Sequence, residues 1–152
     1  MVLSELGKKV KEYWEQIPDH FPFVRLDIVV VMPNHLHGIL ILKDPVGARY
    51  IVPLQKENFG KPSKGSIPTI IRTYKAAVTR GVHKTTIWQR SYYDHIIRDE
   101  LELTRIRQYI HDNPLRWYYD KENPGGKPDE QESTFWVSLE NSKSVLQEAV
   151  TT

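Results

Sequence analysis

Two histidines one residue apart, His35 and His37, interrupt one of the most apolar stretches of the chain, VVMPNHLHGILIL (residues 30–42). Side chains alternate along a strand, so both imidazoles project from one face, about 7 Å apart at the backbone by strand rise. Two neutral imidazoles on one face can converge on one cation, which satisfies both rings where burial alone would cost a few kcal/mol. The same pair also reads as two polar residues at a strand end, hydrogen-bonded or hydrated, because His-x-His is short and common. A second group lies in RIRQYIHDNP (105–114). On a helix, Glu102, Arg105, Tyr109 and Asn113 form one stripe beside the apolar stripe of Leu103, Ile106 and Ile110. Taken by itself, Tyr109 is a tyrosine packed at the rim of an apolar face, and Asn113 a residue that ends a helix before proline.

These residues need elements to position them. Leu6, Val10, Tyr13 and Ile17 recur at helical spacing, which predicts an amphipathic helix over 4–17 with Ser4 as its N-cap. After Pro18 and Pro22, LDIVVVM (26–32) has the β-branched composition of a strand, Pro33-Asn34 reads as a turn, and HLHGILIL (35–42) returns as the second strand of a hairpin. Residues 43–66, rich in Lys, Gly and Pro, are expected to be a mobile connection. Ile67, Ile70, Ile71, Tyr74 and Val78 mark a helix over 68–80, with Arg72, Lys75 and Thr79 on its other side. TTIWQRSYYDHIIR (85–98) is expected to hold a strand or two short ones. Asp99 begins the next helix as N-cap with Glu102 completing a box-like cap, and Pro114 should end it near Asn113. The tail beyond Asn123-Pro124-Gly125-Gly126 is acidic, with a weak strand or helix signal in STFWVSLE. There is no internal repeat.

The 152 residues are most simply one domain, and 39% hydrophobic with 26% charged residues describes a globular chain rather than a disordered one. No apolar run approaches the roughly 18 residues of a membrane span. The first residues lack the apolar core of a signal peptide. The absence of cysteine excludes disulfides and thiolate metal sites, and is compatible with a cytoplasmic location. Charge is uneven. Residues 61–120 carry eleven Lys/Arg against six Asp/Glu, a net of +5, whereas residues 121–152 carry three against six, a net of −3. A basic middle suits a polyanion, though a solvated surface with scattered charge would look the same.

An apolar strand, Met-Pro-Asn-His-Leu-His, a second apolar strand and, about seventy residues later, Tyr-Ile-x-x-Asn-Pro together resemble the HUH single-tyrosine transposase superfamily. More closely they resemble its REP-associated tyrosine transposases and their IS200-like relatives. GSIPTIIRTYKAAVTR (65–80) is similar to that family's basic helix, WQRSYYDHIIRDE (88–100) to its aromatic linker, and NPLRWYYDKENP (113–124) to the run that follows its tyrosine. The resemblance covers residues 1–124, leaving 125–152 as an acidic C-terminal extension. It implies an α/β (α+β) fold, an antiparallel sheet with packed helices of the ferredoxin-like or RRM-like kind. Such proteins open with a further strand and hairpin, so the N-terminal strand is expected to be missing here.

The resemblance further implies that His35, His37 and Asn113 hold a divalent metal, Mg²⁺ or Mn²⁺, and that Tyr109 is the nucleophile. The reaction would be cleavage and rejoining of single-stranded DNA at hairpin-associated sites through a 5′-phosphotyrosine. DNA would lie along Arg72, Lys75, Arg80, Arg90, Arg98 and Arg105, with Trp88, Tyr92 and Tyr93 as stacking surfaces. The resemblance allows a homodimer as well as a monomer. The alternative from another class is a non-catalytic protein that binds hairpin DNA without cutting it.

Overall fold

The computed structural model describes residues 2–43, 65–84, 86–131, 133–135 and 137–138. The expected connection over 43–66 therefore lies almost wholly outside the described residues. Among the described residues the fold is α+β, a two-stranded antiparallel sheet with helices packed on it. Its residues fall into two compact units, one of Val2–Val31 and Gly38–Tyr93, the other of Met32–His37 with the chain from Asp94 onward.

In the first unit, helix α1 (Glu5–Glu15) starts where expected, with the Ser4 hydroxyl accepting from the Gly7 N–H at 3.1 Å. Its buried face is Val10 and Trp14, followed by Ile17. Pro18 does not end helical structure outright. It sits in the first turn of a four-residue helix, α2 (Ile17–His20), where a missing N–H costs nothing. Strands β1 (Val24–Val31) and β2 (Leu36–Leu42) form the predicted hairpin. Helix α3 (Ile67–Val82) buries Ile70, Tyr74 and Val78 at i, i+4 and i+8, and α1 packs on both α3 and β1. Trp14 and Tyr74 meet edge to face at 5.3 Å, and the Tyr74 hydroxyl donates to the Val10 carbonyl at 3.0 Å. Gly38 of β2 lies directly under the Trp14 indole, where a Cβ would overlap the ring.

The expected strand over 85–98 does not form. Residues 86–98 have no helix or strand, and residue 85 lies outside the described set. The reason is a side chain. Lys75 Nζ donates to the carbonyls of Gln89 and Ser91 at 3.1 and 3.2 Å, so those acceptors are held by a lysine rather than by a neighbouring strand. Trp88 in turn donates from Nε1 to the Lys75 carbonyl at 3.1 Å, and the ammonium lies 5.7 Å from the Trp88 ring and 5.9 Å from that of Tyr92. Burial lowers the Lys75 pKa.

In the second unit, Met32 N–H donates to the His35 carbonyl at 2.8 Å and closes the Pro33-Asn34 turn. Helix α4 (Glu100–Asp112) is capped by Asp99, whose carboxylate accepts from the Glu102 N–H at 2.8 Å. Its buried residues are Glu102, Ile106 and Ile110, continued by Asn113, so two polar side chains stand at the ends of the apolar stripe. Asn113 keeps helical angles (φ −53°, ψ −41°) although it precedes proline, and its N–H bonds the Tyr109 carbonyl. A 3₁₀ turn (Trp117–Tyr119) follows. Beyond it the chain is helical at 130–131, 133–135 and 137–138, which resolves the weak signal of the tail as helix. No described helix is long and apolar enough to cross a membrane.

Candidate active site

His35 and His37 flank Leu36 at the start of β2, and their side chains share a face as strand alternation requires. The two Nε2 atoms stand 3.0 Å apart. His35 Nδ1 lies 2.8 Å from Asn34 Oδ1, an acceptor only, so Nδ1 carries a proton and Nε2 is the nitrogen turned toward His37. His37 is held neutral. Burial, and after it the neighbouring His35, lower its pKa to about 4, with Asp120 opposing. A neutral imidazole is the state in which histidine binds metal, and the ring nitrogens of His35 and His37 converge on one point.

Helix α4 brings Tyr109 and Asn113 to the same place. The Tyr109 ring meets His37 edge-on with centroids 5.5 Å apart, and Asn113 Nδ2 is 3.4 Å from His37 Nε2. Asn113 is 3% exposed, and its Oδ1 has no hydrogen-bond partner among the described residues. Tyr109 also stacks on Phe135, centroids 4.4 Å apart and planes within 9°. The four residues that the resemblance pointed to are thus assembled within one unit.

Asp120, which the sequence did not single out, lies beside the two histidines. It is 3% exposed, its Oδ1 accepts from the Glu122 N–H at 2.7 Å, and its Oδ2 faces His35 Nε2 at 3.5 Å. Ligand atoms of His35, His37 and Asp120 all lie within 4.8 Å of one another, so this cluster could hold a metal ion. The partnerless oxygens of Asn113 and Asp120 add to its fit for a cation, since buried polar atoms normally find partners. The sequence signal for Asp120 was faint, one of two acids in the run NPLRWYYDKENP that resembles the segment after the family's tyrosine. A cleft of about 290 Å³ opens beside these groups, lined by Tyr109, Asn113, Asp120, Arg105, Arg116 and Phe135 among others.

The other singled-out residues are distributed more widely. Arg72, Lys75, Arg80 and Arg90 belong to the first unit, Arg98 and Arg105 to the second. All five arginines are exposed, and Arg105 donates to the Ser138 hydroxyl at 2.8 Å. Tyr92 and Tyr93 are exposed, whereas Trp88 packs against Tyr74. His111 is exposed and pairs with Asp112. The His95 side chain, 6% exposed, makes a 2.7 Å contact with Glu102.

No family model and no solved structure matches the chain. A Haemophilus influenzae protein described only as "Uncharacterized protein" is 44% identical over 128 residues, covering 80% of this chain and 71% of that protein. A second Haemophilus influenzae protein, described as "Putative REP-associated tyrosine transposase", is 25% identical over 118 residues, covering 77% of this chain and 64% of its own length. The chain thus spans less than two thirds of that second relative, and the likeness to it is distant. At 44% identity across most of both sequences, the chain belongs to one family with the uncharacterized Haemophilus influenzae protein.

Proposed function

We propose that this protein is a metal-dependent DNA strand transferase of the REP-associated tyrosine transposase kind, cleaving and rejoining single-stranded DNA at hairpin-associated sites. The observation that carries the reading is the placement of Tyr109 beside His37, on the helix face that also presents Asn113. The distant similarity to a protein described as such a transposase supports it.

His35, His37 and Asn113 would hold the cation, Mg²⁺ or Mn²⁺ in vivo, as imidazole and amide donors allow. When bound, it supplies Lewis-acid polarisation of the scissile phosphate and a template for in-line attack. The Tyr109 oxygen forms a bond to phosphorus while the bond from phosphorus to the 3′ oxygen breaks. The phenolic proton passes to solvent, and the departing strand leaves as a 3′-OH. A later attack by another 3′-OH on the phosphotyrosine restores the diester, so no ATP is needed. Arg105, which lines the cleft with Tyr109, would meet phosphate charge in this reading. Arg72, Arg80, Arg90 and Arg98 supply exposed charge for the DNA backbone, and Lys75 joins them only by leaving its two carbonyl acceptors.

The test is incubation with labelled, hairpin-bearing single-stranded DNA from the protein's own genomic flanks with Mn²⁺ or Mg²⁺, followed by a denaturing gel. A covalent band that disappears in Tyr109→Phe and with chelator is the expected result. Hairpin binding with no covalent band from folded protein would move the assignment to a non-catalytic binder.

A further inference from the structure

The ligands implied by resemblance stop at Asn113, yet a buried carboxylate is aimed at the same point. We infer that Asp120 is an anionic ligand of the metal centre, and that Asn34 locks the Asp120 loop against the histidine hairpin. The inference rests on the proposed reading that His35 and His37 hold a cation.

A carboxylate 3% exposed needs compensation for the water it has lost. The Glu122 N–H compensates Oδ1. Among the described residues Oδ2 has no hydrogen-bond partner, and its 3.5 Å approach to His35 Nε2 is well beyond the roughly 2.7–2.9 Å of a charge-assisted contact. An acid that only orients a ligating histidine bonds the ring nitrogen turned away from the metal. Here Asn34 Oδ1 occupies that nitrogen, and Asp120 faces the other one. With a proton held on Nδ1 by Asn34, His35 Nε2 and Asp120 Oδ2 face each other 3.5 Å apart, two donor atoms that a cation between them would take up. The separation of the two imidazole nitrogens, 3.0 Å, is also the edge of an octahedron with bonds of about 2.1 Å.

Asn34 connects the two sides. Its Oδ1 accepts from His35 Nδ1 at 2.8 Å, while its Nδ2 donates to the Glu122 carbonyl at 2.6 Å. One side chain therefore sets the His35 tautomer and fixes the backbone two residues beyond Asp120. Asn34 is a positioning residue in this scheme. Two imidazoles and an amide form a neutral donor set, and Asp120 adds one negative charge and a hard oxygen. Hard cations such as Mn²⁺ should gain from it more than Zn²⁺ does.

The experiment is calorimetric titration of the full chain with Mn²⁺ and separately with Zn²⁺, without DNA, for the wild type, H35A, D120N and N34A. D120N keeps an oxygen for the Glu122 N–H and removes only the charge. Expected are a loss of Mn²⁺ affinity of at least about tenfold in D120N with a smaller loss for Zn²⁺, and about tenfold weaker Mn²⁺ binding in N34A. Thermal melts of D120N in chelator should match the wild type. Equal Mn²⁺ affinity in wild type and D120N, with H35A binding none, would overturn the role of Asp120 and leave the histidine site standing. A wild type that binds no more metal than H35A would instead remove the proposed metal reading itself. If D120N does not fold, D120E replaces it, read by the visible spectrum of bound Co²⁺. An altered spectrum supports direct ligation, and one identical to the wild type rejects it.

Discussion

Tyr109 stands edge-on to His37, ring centroids 5.5 Å apart and planes at 79°. The opposite requirement, a rigid ring, is met by Phe135, which stacks on Tyr109 at 4.4 Å. The hydroxyl-bearing ring is therefore fixed by two aromatic neighbours, and the helix that carries it also carries Asn113.

Tyr109→Phe keeps both ring contacts and loses only the hydroxyl. Its urea-unfolding free energy should stay within about 0.5 kcal/mol of the wild type, while the covalent DNA adduct disappears. Tyr109→Ala removes the aromatic pair and should cost on the order of 2 kcal/mol. A Phe variant as destabilised as the Ala variant would place the hydroxyl in a structural role.

Acid should weaken the metal-free fold through His37. Burial, and then the nearby His35, depress its folded pKa to about 4, against 6.5 for the unfolded chain. The unfolded state thus takes up the proton first. The contribution of a neutral His37 is complete above pH 6.5 and is lost as pH falls from 6.5 to about 4. Urea midpoints in chelator across that range should fall more steeply for the wild type than for His37→Asn, and parallel slopes would refute the assignment.

Glu102 should be the costliest single charge on α4. It is 7% exposed and accepts from the Arg98 N–H and from His95 Nε2 at 2.8 and 2.7 Å. Burial works against its charge, but the Arg98 N–H and the His95 contact outweigh it and hold the carboxyl below its ordinary pKa. Its contribution is present above the ordinary carboxyl pKa near 4.5 and fades as pH falls below it. Glu102→Ala leaves two part-buried donors without their acceptor, an expected loss of roughly 1–3 kcal/mol by chemical denaturation at pH 7. A loss under 0.5 kcal/mol would mean that water replaces the carboxylate.

Gly38→Ala should be disproportionately harmful for so small a change. The added methyl would overlap the Trp14 indole, which is itself buried against Tyr74. Overpacking of this kind costs about 1–3 kcal/mol. The thermal midpoint and the near-ultraviolet signal of Trp14 should both shift. An unchanged midpoint would show that the helix can move aside.

The sequence by itself determined the hairpin, three of the helices and the facing of His35 and His37. It also determined the one-turn spacing of Tyr109 and Asn113. All of these follow from periodicity, capping and strand alternation, rules that act over a few residues. Tertiary structure decided the rest. Whether 86–98 would be a strand depended on a lysine fourteen and sixteen residues away from the carbonyls it holds, which no local pattern encodes. Glu102 reads as a cap residue in sequence, and only packing shows it buried with His95. Asp120 lies eighty-five residues from His35, and the two meet because Asn34 reaches the Glu122 carbonyl. Where a side chain satisfies a distant backbone group or charge, the energy that selects the structure is not local, and that is where the sequence reading stopped.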